Sequence, residues 1–310
     1  MSRIADALDR AGKPLRGAEQ PEATTLDAFD MIQAVAPASS APTRSAGEAS
    51  IRVGTPQAAA SGLTACANDE RLVLSPKMSH TALQQYRRLG STLHQLQTER
   101  GLRSLVITSA VAGEGKTITA ANLALTLSES LRRRVLLIDA DLRRPVLDKI
   151  FKTRSLPGLS NMLASSEPVA RVVAVSERLT LLAGGRPEHD PSGVLTSERM
   201  RLLVEDAAKS FDWVLIDTPP VAVFPDAALV SMFTDGVLMV IRASSTSVAQ
   251  IQRGIAAVTP ERIVGTVLNQ TENTTMQQYG YDGAEKYYGK PEDGLDLNSR
   301  LSPTDIARVR

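Results

Sequence analysis

The chain has 310 residues, of which 43% are hydrophobic and 22% charged, and its formal net charge is +1. This composition is that of an ordinary soluble protein, and the near-neutral charge argues against a nucleic-acid partner. A single cysteine, Cys66, excludes an internal disulfide and favours a reducing, cytoplasmic location. No apolar run approaches the ~20 residues of a membrane-spanning helix, so we expect no direct membrane span.

The first 78 residues predict little regular structure. Residues 1–12 favour a short amphipathic helix with Ile4, Ala5 and Leu8 on one face, although a frayed helix without a partner is the alternative. Residues 13–78 are rich in Ala, Pro, Ser, Thr and Gly, with no sustained hydrophobic period. This segment therefore predicts a disordered linker ahead of the folded part.

From residue 79 onward, short apolar runs alternate with helical stretches. The runs cover residues 105–107, 135–138, 179–182, 213–216, 237–241 and 263–268. Strands that are apolar on both faces and separated by helices predict a mostly parallel central sheet with helices on both faces. We therefore expect one α/β domain over residues 79–290, followed by a flexible tail over 291–310.

A glycine-rich turn joins the first of these runs to a helical stretch over residues 118–131. Such a turn points backbone N–H groups at phosphate oxygens, and the helix dipole adds positive potential behind them. Lys116 is expected to reach the β- and γ-phosphates of ATP, and the Thr117 hydroxyl to ligate Mg²⁺. A glycine turn that caps a helix without any ligand is the alternative. The expected nucleotide contacts are Ala112, Gly113, Glu114, Gly115, Lys116, Thr117 and Ile118.

Three aspartates follow two of the predicted strands. Asp139 and Asp141 come after residues 135–138, and Asp217 comes after residues 213–216. The carboxyl ends of adjacent parallel strands meet at one edge of an open sheet, where ligands bind. One such aspartate alone would more often cap a helix. Three of them beside a phosphate loop indicate a magnesium site instead, with Asp217 as a metal ligand.

Together these motifs resemble the bacterial tyrosine kinases, a family of cytoplasmic P-loop NTPase domains that autophosphorylate and regulate capsule or exopolysaccharide export. The segments that carry the resemblance are 110–117, with its Gly-Glu-Gly-Lys-Thr core, 121–124, Asp139-x-Asp141-x-Arg143, Asp217-Thr218-Pro219-Pro220, 191–200 and 267–269. The resemblance implies that Asp141 joins Thr117 and Asp217 at the metal. It also implies that Asp139 is the base for a tyrosine hydroxyl, with Lys116 and Asp141 completing the catalytic group, and that Asn269 lies near the adenine.

The same resemblance implies a non-specific protein-tyrosine kinase that uses ATP and Mg²⁺ on protein substrates. Four of the five tyrosines are the expected phosphoacceptors, although aromatic anchors of a loose tail are the alternative: Tyr279, Tyr281, Tyr287 and Tyr288. The implied partners are other copies of the chain and a membrane-bound polysaccharide co-polymerase or chain-length activator. Such an activator would hold the chain at the inner face of the membrane.

Two other functions remain open at this stage. In the family, subunits pair through Glu-x-x-Arg-x-x-Arg, whereas this chain has Gln84, Arg87 and Gly90 at those positions. That departure keeps open a nucleotide-binding scaffold of a polysaccharide export complex with little or no kinase activity. A partner-switching ATPase of the partitioning and division-site class is the other alternative. That class carries an extra lysine five positions before the loop lysine, where this chain has Val111.

Overall fold

The computed structural model describes residues 52–58, 62–153, 157–165 and 169–271. The predicted helix over 1–12, the phosphoacceptor tyrosines over 279–288 and the tail over 291–310 lie outside these residues. The strands are β1 Arg52–Val53, β2 Gln57–Ala58, β3 Ser104–Ser109, β4 Val135–Asp139, β5 Val169–Ala170, β6 Val173–Ala174, β7 Leu179–Leu182, β8 Trp213–Asp217, β9 Gly236–Arg242 and β10 Ile263–Asn269. The α-helices are α1 Gly62–Ala67, α2 His80–Arg100, α3 Lys116–Leu125, α4 Leu147–Ile150, α5 Leu159–Ala164, α6 Pro191–Leu195, α7 Glu198–Ser210, α8 Asp226–Ser231 and α9 Val248–Ala257.

Eight of the described strands form one sheet in the order β10-β9-β3-β8-β4-β7-β6-β2. Every pair from β10 to β7 is parallel, whereas β6 runs antiparallel to β7. The six predicted strands are β3, β4, β7, β8, β9 and β10, so the expected mostly parallel sheet is confirmed. The last two strands of this order, β6 and β2, have two residues each, too few to show a hydrophobic period.

Successive residues of the central strands face two different cores. In β3, Val106 packs into one core, and Leu105 and Ile107 pack into the other. Helices α7 and α9 contribute to the first core, while α2 and α3 contribute to the second. Burial on both faces explains why these strands read as uninterrupted apolar runs.

The strand order brings three strand ends to one edge of the sheet. β3 lies between β9 and β8, and β4 lies on the far side of β8. Asp139 and Asp217, the last residues of β4 and β8, are direct partners across the parallel ladder. The turn that follows β3 therefore begins beside both aspartates, at the edge where ligands bind to open parallel sheets.

The structure differs from the predicted linker over its described C-terminal part. Residues 62–78 pack on the second core, where Cys66, Leu72 and Val73 are buried. Burial raises the pKa of the Cys66 thiol to about 12. These anchors are isolated apolar residues with no helical or strand period, which is why the sequence pattern did not reveal them.

One polar side chain fastens this segment to α3. The Asn122 side chain accepts a hydrogen bond from Val73 N at 2.9 Å and donates one to Arg71 O at 2.8 Å. Asn122 and Val73 are both buried, so the bond between them satisfies a backbone donor that has little access to water. The helix that begins with Lys116 therefore also carries the anchor for residues 71–73.

Gly90 lies in the middle of α2, which continues through it for 21 residues from a cap at Ser79. A Cβ atom added at Gly90 would lie 3.1 Å from Leu131 Cδ1 and 3.5 Å from Thr126 Cγ2. Thr126 belongs to the π-helical turn Thr126–Ser130 that extends α3. The glycine thus allows α2 and the end of α3 to pack closely.

None of the helices in the described ranges combines the length and the hydropathy needed to cross a bilayer.

We expect Asn122→Ala to lower the free energy of unfolding by about 1–3 kcal/mol, because it leaves Val73 N–H and Arg71 C=O without their partner. Urea denaturation followed by circular dichroism measures the change. The matched control is Gln95→Ala, since the exposed Gln95 side chain donates a hydrogen bond to Glu99, which is also exposed, one turn further along the same helix. Equal stability of the two variants would show that Asn122 does not anchor residues 71–73.

Candidate nucleotide-binding site

The turn between β3 and α3 depends on two glycines. Gly113 and Gly115 have φ angles of +87° and +89°, in the left-handed region that favours glycine. A Cβ at Gly115 would also lie 2.1 Å from Asn269 Nδ2, so any other residue there would displace the Asn269 amide. Ala110 replaces the usual first glycine of the motif, and the facing helix α9 has Gly254 opposite it. A Cβ on Gly254 would lie 3.0 Å from Ala110 Cβ, so a glycine in α9 makes room for the alanine.

Four predicted site residues form one continuous hydrogen-bonded chain. Lys116 Nζ lies 3.0 Å from Asp141 Oδ2 and 3.2 Å from Thr117 Oγ1. The Thr117 hydroxyl in turn donates to Asp217 Oδ2 at 2.7 Å. The first turn of α3 is thereby tied to the ends of β4 and β8. An ammonium group, a hydroxyl and two carboxylates converge at the start of the helix.

The charges of this site are unbalanced. Burial raises the pKa of Asp139 to about 8, and the neighbouring Asp217 adds to that rise. Two backbone donors, Val146 N and Leu147 N, both at 2.9 Å from Asp139 Oδ2, act in the opposite direction. Burial also raises the pKa of Asp217 to about 6, although Lys116 opposes that shift.

Lys116 remains a cation in this setting. Burial alone would lower its pKa, but Asp217 and Asp141 more than offset that effect, and the pKa is raised. Its single positive charge faces a cluster of three aspartates. The site therefore has an excess of negative potential when no cation accompanies it.

The oxygen atoms present fit a magnesium ion that arrives with a nucleotide. Asp139 Oδ1 and Asp217 Oδ1 are buried, and neither has a hydrogen-bond partner among the described residues. Within those same residues, no group of three or more His, Cys, Asp or Glu could hold a metal by itself. Mg²⁺ in nucleotide sites takes only one or two carboxylates from the protein, and phosphates and water supply its other ligands.

Glu114 and Asn269 take positions that the sequence pattern did not indicate. The Glu114 side chain is buried and points into the protein, so only its backbone can contribute to a phosphate cradle. Asn269, the last residue of β10, donates from Nδ2 to Glu114 O at 2.8 Å. The Asn269 side-chain amide therefore stabilises the backbone of the phosphate loop at Glu114. Ala112 and Gly113 are exposed, and Ile118 is half-buried in the first turn of α3.

A second ion pair lies beside the site and was missed by sequence reasoning. Arg143 Nε lies 2.9 Å from Asp226 Oδ2, and Arg143 Nη2 lies 3.2 Å from Asp226 Oδ1. The guanidinium carbon is 4.1 Å from the centre of the Phe224 ring. Ser192 Oγ also donates to Asp226 Oδ1 at 3.1 Å. The only sequence signal was the arginine in the paired-aspartate motif, because nothing marked Asp226 as its partner.

Comparisons with known proteins agree with this geometry. The family model described as the CobQ/CobB/MinD/ParA nucleotide binding domain matches residues 105–297. The tyrosine-protein kinase YwqD of Bacillus subtilis (strain 168) is 32% identical over 206 residues, which cover 65% of this chain and 86% of that protein. The succinoglycan biosynthesis transport protein ExoP of Rhizobium meliloti (strain 1021) is 34% identical over 200 residues. That match covers 61% of this chain but only 25% of ExoP.

Among solved structures, the kinase domain of the Escherichia coli tyrosine kinase ETK superposes with a TM-score of 0.56 at 30% identity. The match covers 60% of this chain and 74% of that chain.

We expect Asp139→Asn to raise the free energy of unfolding of the nucleotide-free protein, and to raise it more at pH 8 than at pH 5. The pKa of Asp139 is higher in the folded than in the unfolded state. Between about pH 4 and pH 8 the unfolded chain therefore binds fewer protons at this carboxyl, and stability falls as the pH rises. An amide cannot ionise, so the variant escapes that loss.

Urea titrations at the two pH values measure the effect, with the exposed Glu99→Gln as the control. A gain for Asp139→Asn that is the same at both pH values would contradict the assigned shift.

Proposed function

Because the chain belongs to the CobQ/CobB/MinD/ParA nucleotide-binding domain family and, within it, to the bacterial tyrosine kinases, we propose that it is an ATP-dependent protein tyrosine kinase. The reaction moves the γ-phosphoryl group of ATP to a tyrosine hydroxyl. The observation that carries this proposal is the chain of contacts from Asp141 through Lys116 and Thr117 to Asp217. These contacts bring together the phosphate-binding and metal-binding groups that phosphoryl transfer requires.

Each residue of the site has a distinct role in the proposed reaction. The Lys116 ammonium group holds phosphate oxygens, and Thr117, Asp141 and Asp217 would hold Mg²⁺. When bound, Mg²⁺ would neutralise phosphate charge and orient the phosphates for transfer. Ala112 to Ile118 supply backbone N–H groups to the phosphates, and Asn269 stands at the base of that loop.

Asp139 is the proposed proton acceptor. Two backbone N–H groups fix its Oδ2, and Oδ1 is left to take the proton of the acceptor tyrosine. Burial raises its pKa to about 8, close to the neutral range in which a general base works best. Asp139 is fully buried, whereas Asp141 keeps 8% of its surface exposed. An acceptor hydroxyl must therefore reach in to the end of β4.

The proposed acceptors are Tyr279, Tyr281, Tyr287 and Tyr288 of a second copy of the chain. Tyr86, the remaining tyrosine, is half-buried in α2, and burial raises the pKa of its hydroxyl, which makes it a poor acceptor. We further infer a role in exopolysaccharide synthesis and export. The relationship to ExoP, whose name places it in succinoglycan biosynthesis and transport, supports this role. A membrane-bound polysaccharide co-polymerase is the proposed activator, and it would bring the chain to the membrane.

We expect purified protein incubated with Mg²⁺ and ATP to acquire phosphate on the four C-terminal tyrosines, as mapped by mass spectrometry. Lys116→Met should reduce that labelling by about 100-fold or more, because it removes the cation that faces the transferred phosphate. Lys77→Met is the matched control, since Lys77 is exposed, remote from the site in sequence, and forms an ion pair with the equally exposed Glu70. Nucleotide binding without any phosphotyrosine would favour the scaffold function instead.

A further inference from the structure

Glu114 poses an electrostatic problem within the proposed site. It is an acidic residue inside the loop that cradles phosphates, and only 1% of its surface is exposed. A buried carboxylate is costly unless hydrogen bonds satisfy it, and it would repel a nearby triphosphate. Its surroundings must therefore hold the charge and direct it away from the phosphates.

Three donors hold the Glu114 carboxylate, and two of them come from another part of the chain. Val111 N donates to Oε2 at 2.7 Å and closes the loop on itself. On the other oxygen, Oε1, Arg242 N donates at 3.2 Å and Thr246 Oγ1 donates at 2.5 Å. Hydrogen bonds to a carboxylate are about twice as strong as those between neutral groups. The loop is therefore fastened to the end of β9 and to the turn before α9.

The anchoring turn is itself well defined. Arg242 is the last residue of β9, and Ser247 caps α9 by accepting a hydrogen bond from Gln250 N at 3.3 Å. Ala243 N donates to Asn269 O at 2.8 Å, which joins this turn to the end of β10. Asn269 also holds the Glu114 carbonyl. Glu114 therefore holds the phosphate loop in place through two groups: its side-chain carboxylate and its backbone carbonyl both accept hydrogen bonds from the ends of β9 and β10 and the turn between β9 and α9.

We propose that Glu114 and Thr246 form a clamp that fixes the phosphate loop in its binding shape before nucleotide arrives. Glu114 acts as a positioning residue through its side chain, and Thr246 acts on the nucleotide only through Glu114. Ordering a loop residue costs conformational entropy, so a loop that is already ordered binds phosphate more tightly. The proposal rests on the nucleotide-binding part of the proposed function and does not depend on tyrosine phosphorylation.

Thr246→Val and Thr246→Ser test this clamp. Valine keeps the shape of threonine and loses the hydroxyl, whereas serine keeps the hydroxyl. Titration of the full chain with a fluorescent ATP analogue in Mg²⁺ should show a Kd raised about tenfold for Thr246→Val, as expected for loss of one hydrogen bond to a charged group. Thr246→Ser should restore binding to within about threefold of the original chain. Thr98→Val, which removes an exposed hydroxyl on α2, is the control and should bind as the original chain does.

The kinetic signature separates positioning from general destabilisation. Where phosphotransfer is measured, Thr246→Val should raise KM for ATP and leave kcat near its original value, because the clamp acts before the chemical step. Glu114→Gln should weaken binding at least as much, since an amide presents an N–H to one of the three donors. Equal Kd values for Thr246→Val and the original chain would overturn the proposal. So would an equal loss in Thr246→Val and Thr246→Ser, or a lower unfolding temperature with no change in Kd.

The binding titration also separates this proposal from the kinase proposal. A chain that binds the analogue and never forms phosphotyrosine would refute the kinase activity and leave the clamp standing. A chain that binds no nucleotide at all would refute both.

Discussion

The register between β4 and β8 decides the chemistry of this protein. It pairs Asp139 with Asp217 at the carboxyl edge of the sheet and forces two buried carboxylates to be neighbours. The pKa values of both are raised by burial, and one ammonium group serves the whole cluster. Such an arrangement is unfavourable for the empty protein and favourable for a ligand that brings a divalent cation. The cost in stability and the proposed capacity to bind Mg·ATP thus have the same origin.

The phosphate loop shows how distant parts of the chain fix a short motif. Its two left-handed glycines set the backbone path, but the loop is held by residues that come more than a hundred positions later. Glu114 contacts Arg242 and Thr246, and its carbonyl contacts Asn269. Ala110 is accommodated because α9 offers Gly254. The motif is local in sequence, whereas the forces that shape it come from β9, β10 and α9.

This difference explains how far the sequence could predict the structure. The apolar runs predicted the six strands from β3 to β10 that the sequence analysis named. The rule that adjacent parallel strands end at one edge of the sheet predicted that Asp141 and Asp217 lie near Lys116 and Thr117. The inward direction of Glu114 did not follow, because the residue type is equally compatible with a solvent-facing loop and its partners are remote. The packing of residues 62–78 could not be predicted either. Its contacts depend on isolated buried residues such as Leu72 and on the single side-chain amide of Asn122, which produce no hydrophobic period in the sequence. The pairing of Arg143 with Asp226 likewise depends on tertiary proximity alone.

Gly90 limits which side chains this face of α2 can present. A Cβ atom there would lie 3.1 Å from Leu131 Cδ1 and 3.5 Å from Thr126 Cγ2, so neighbouring side chains already occupy the space around it. An arginine at position 90 would begin its side chain against Leu131, and α2 or the turn after α3 would have to shift to admit it. The pattern Gln84, Arg87 and Gly90 therefore cannot gain a third-position arginine by one substitution alone, because the same change would also require the two helices to repack.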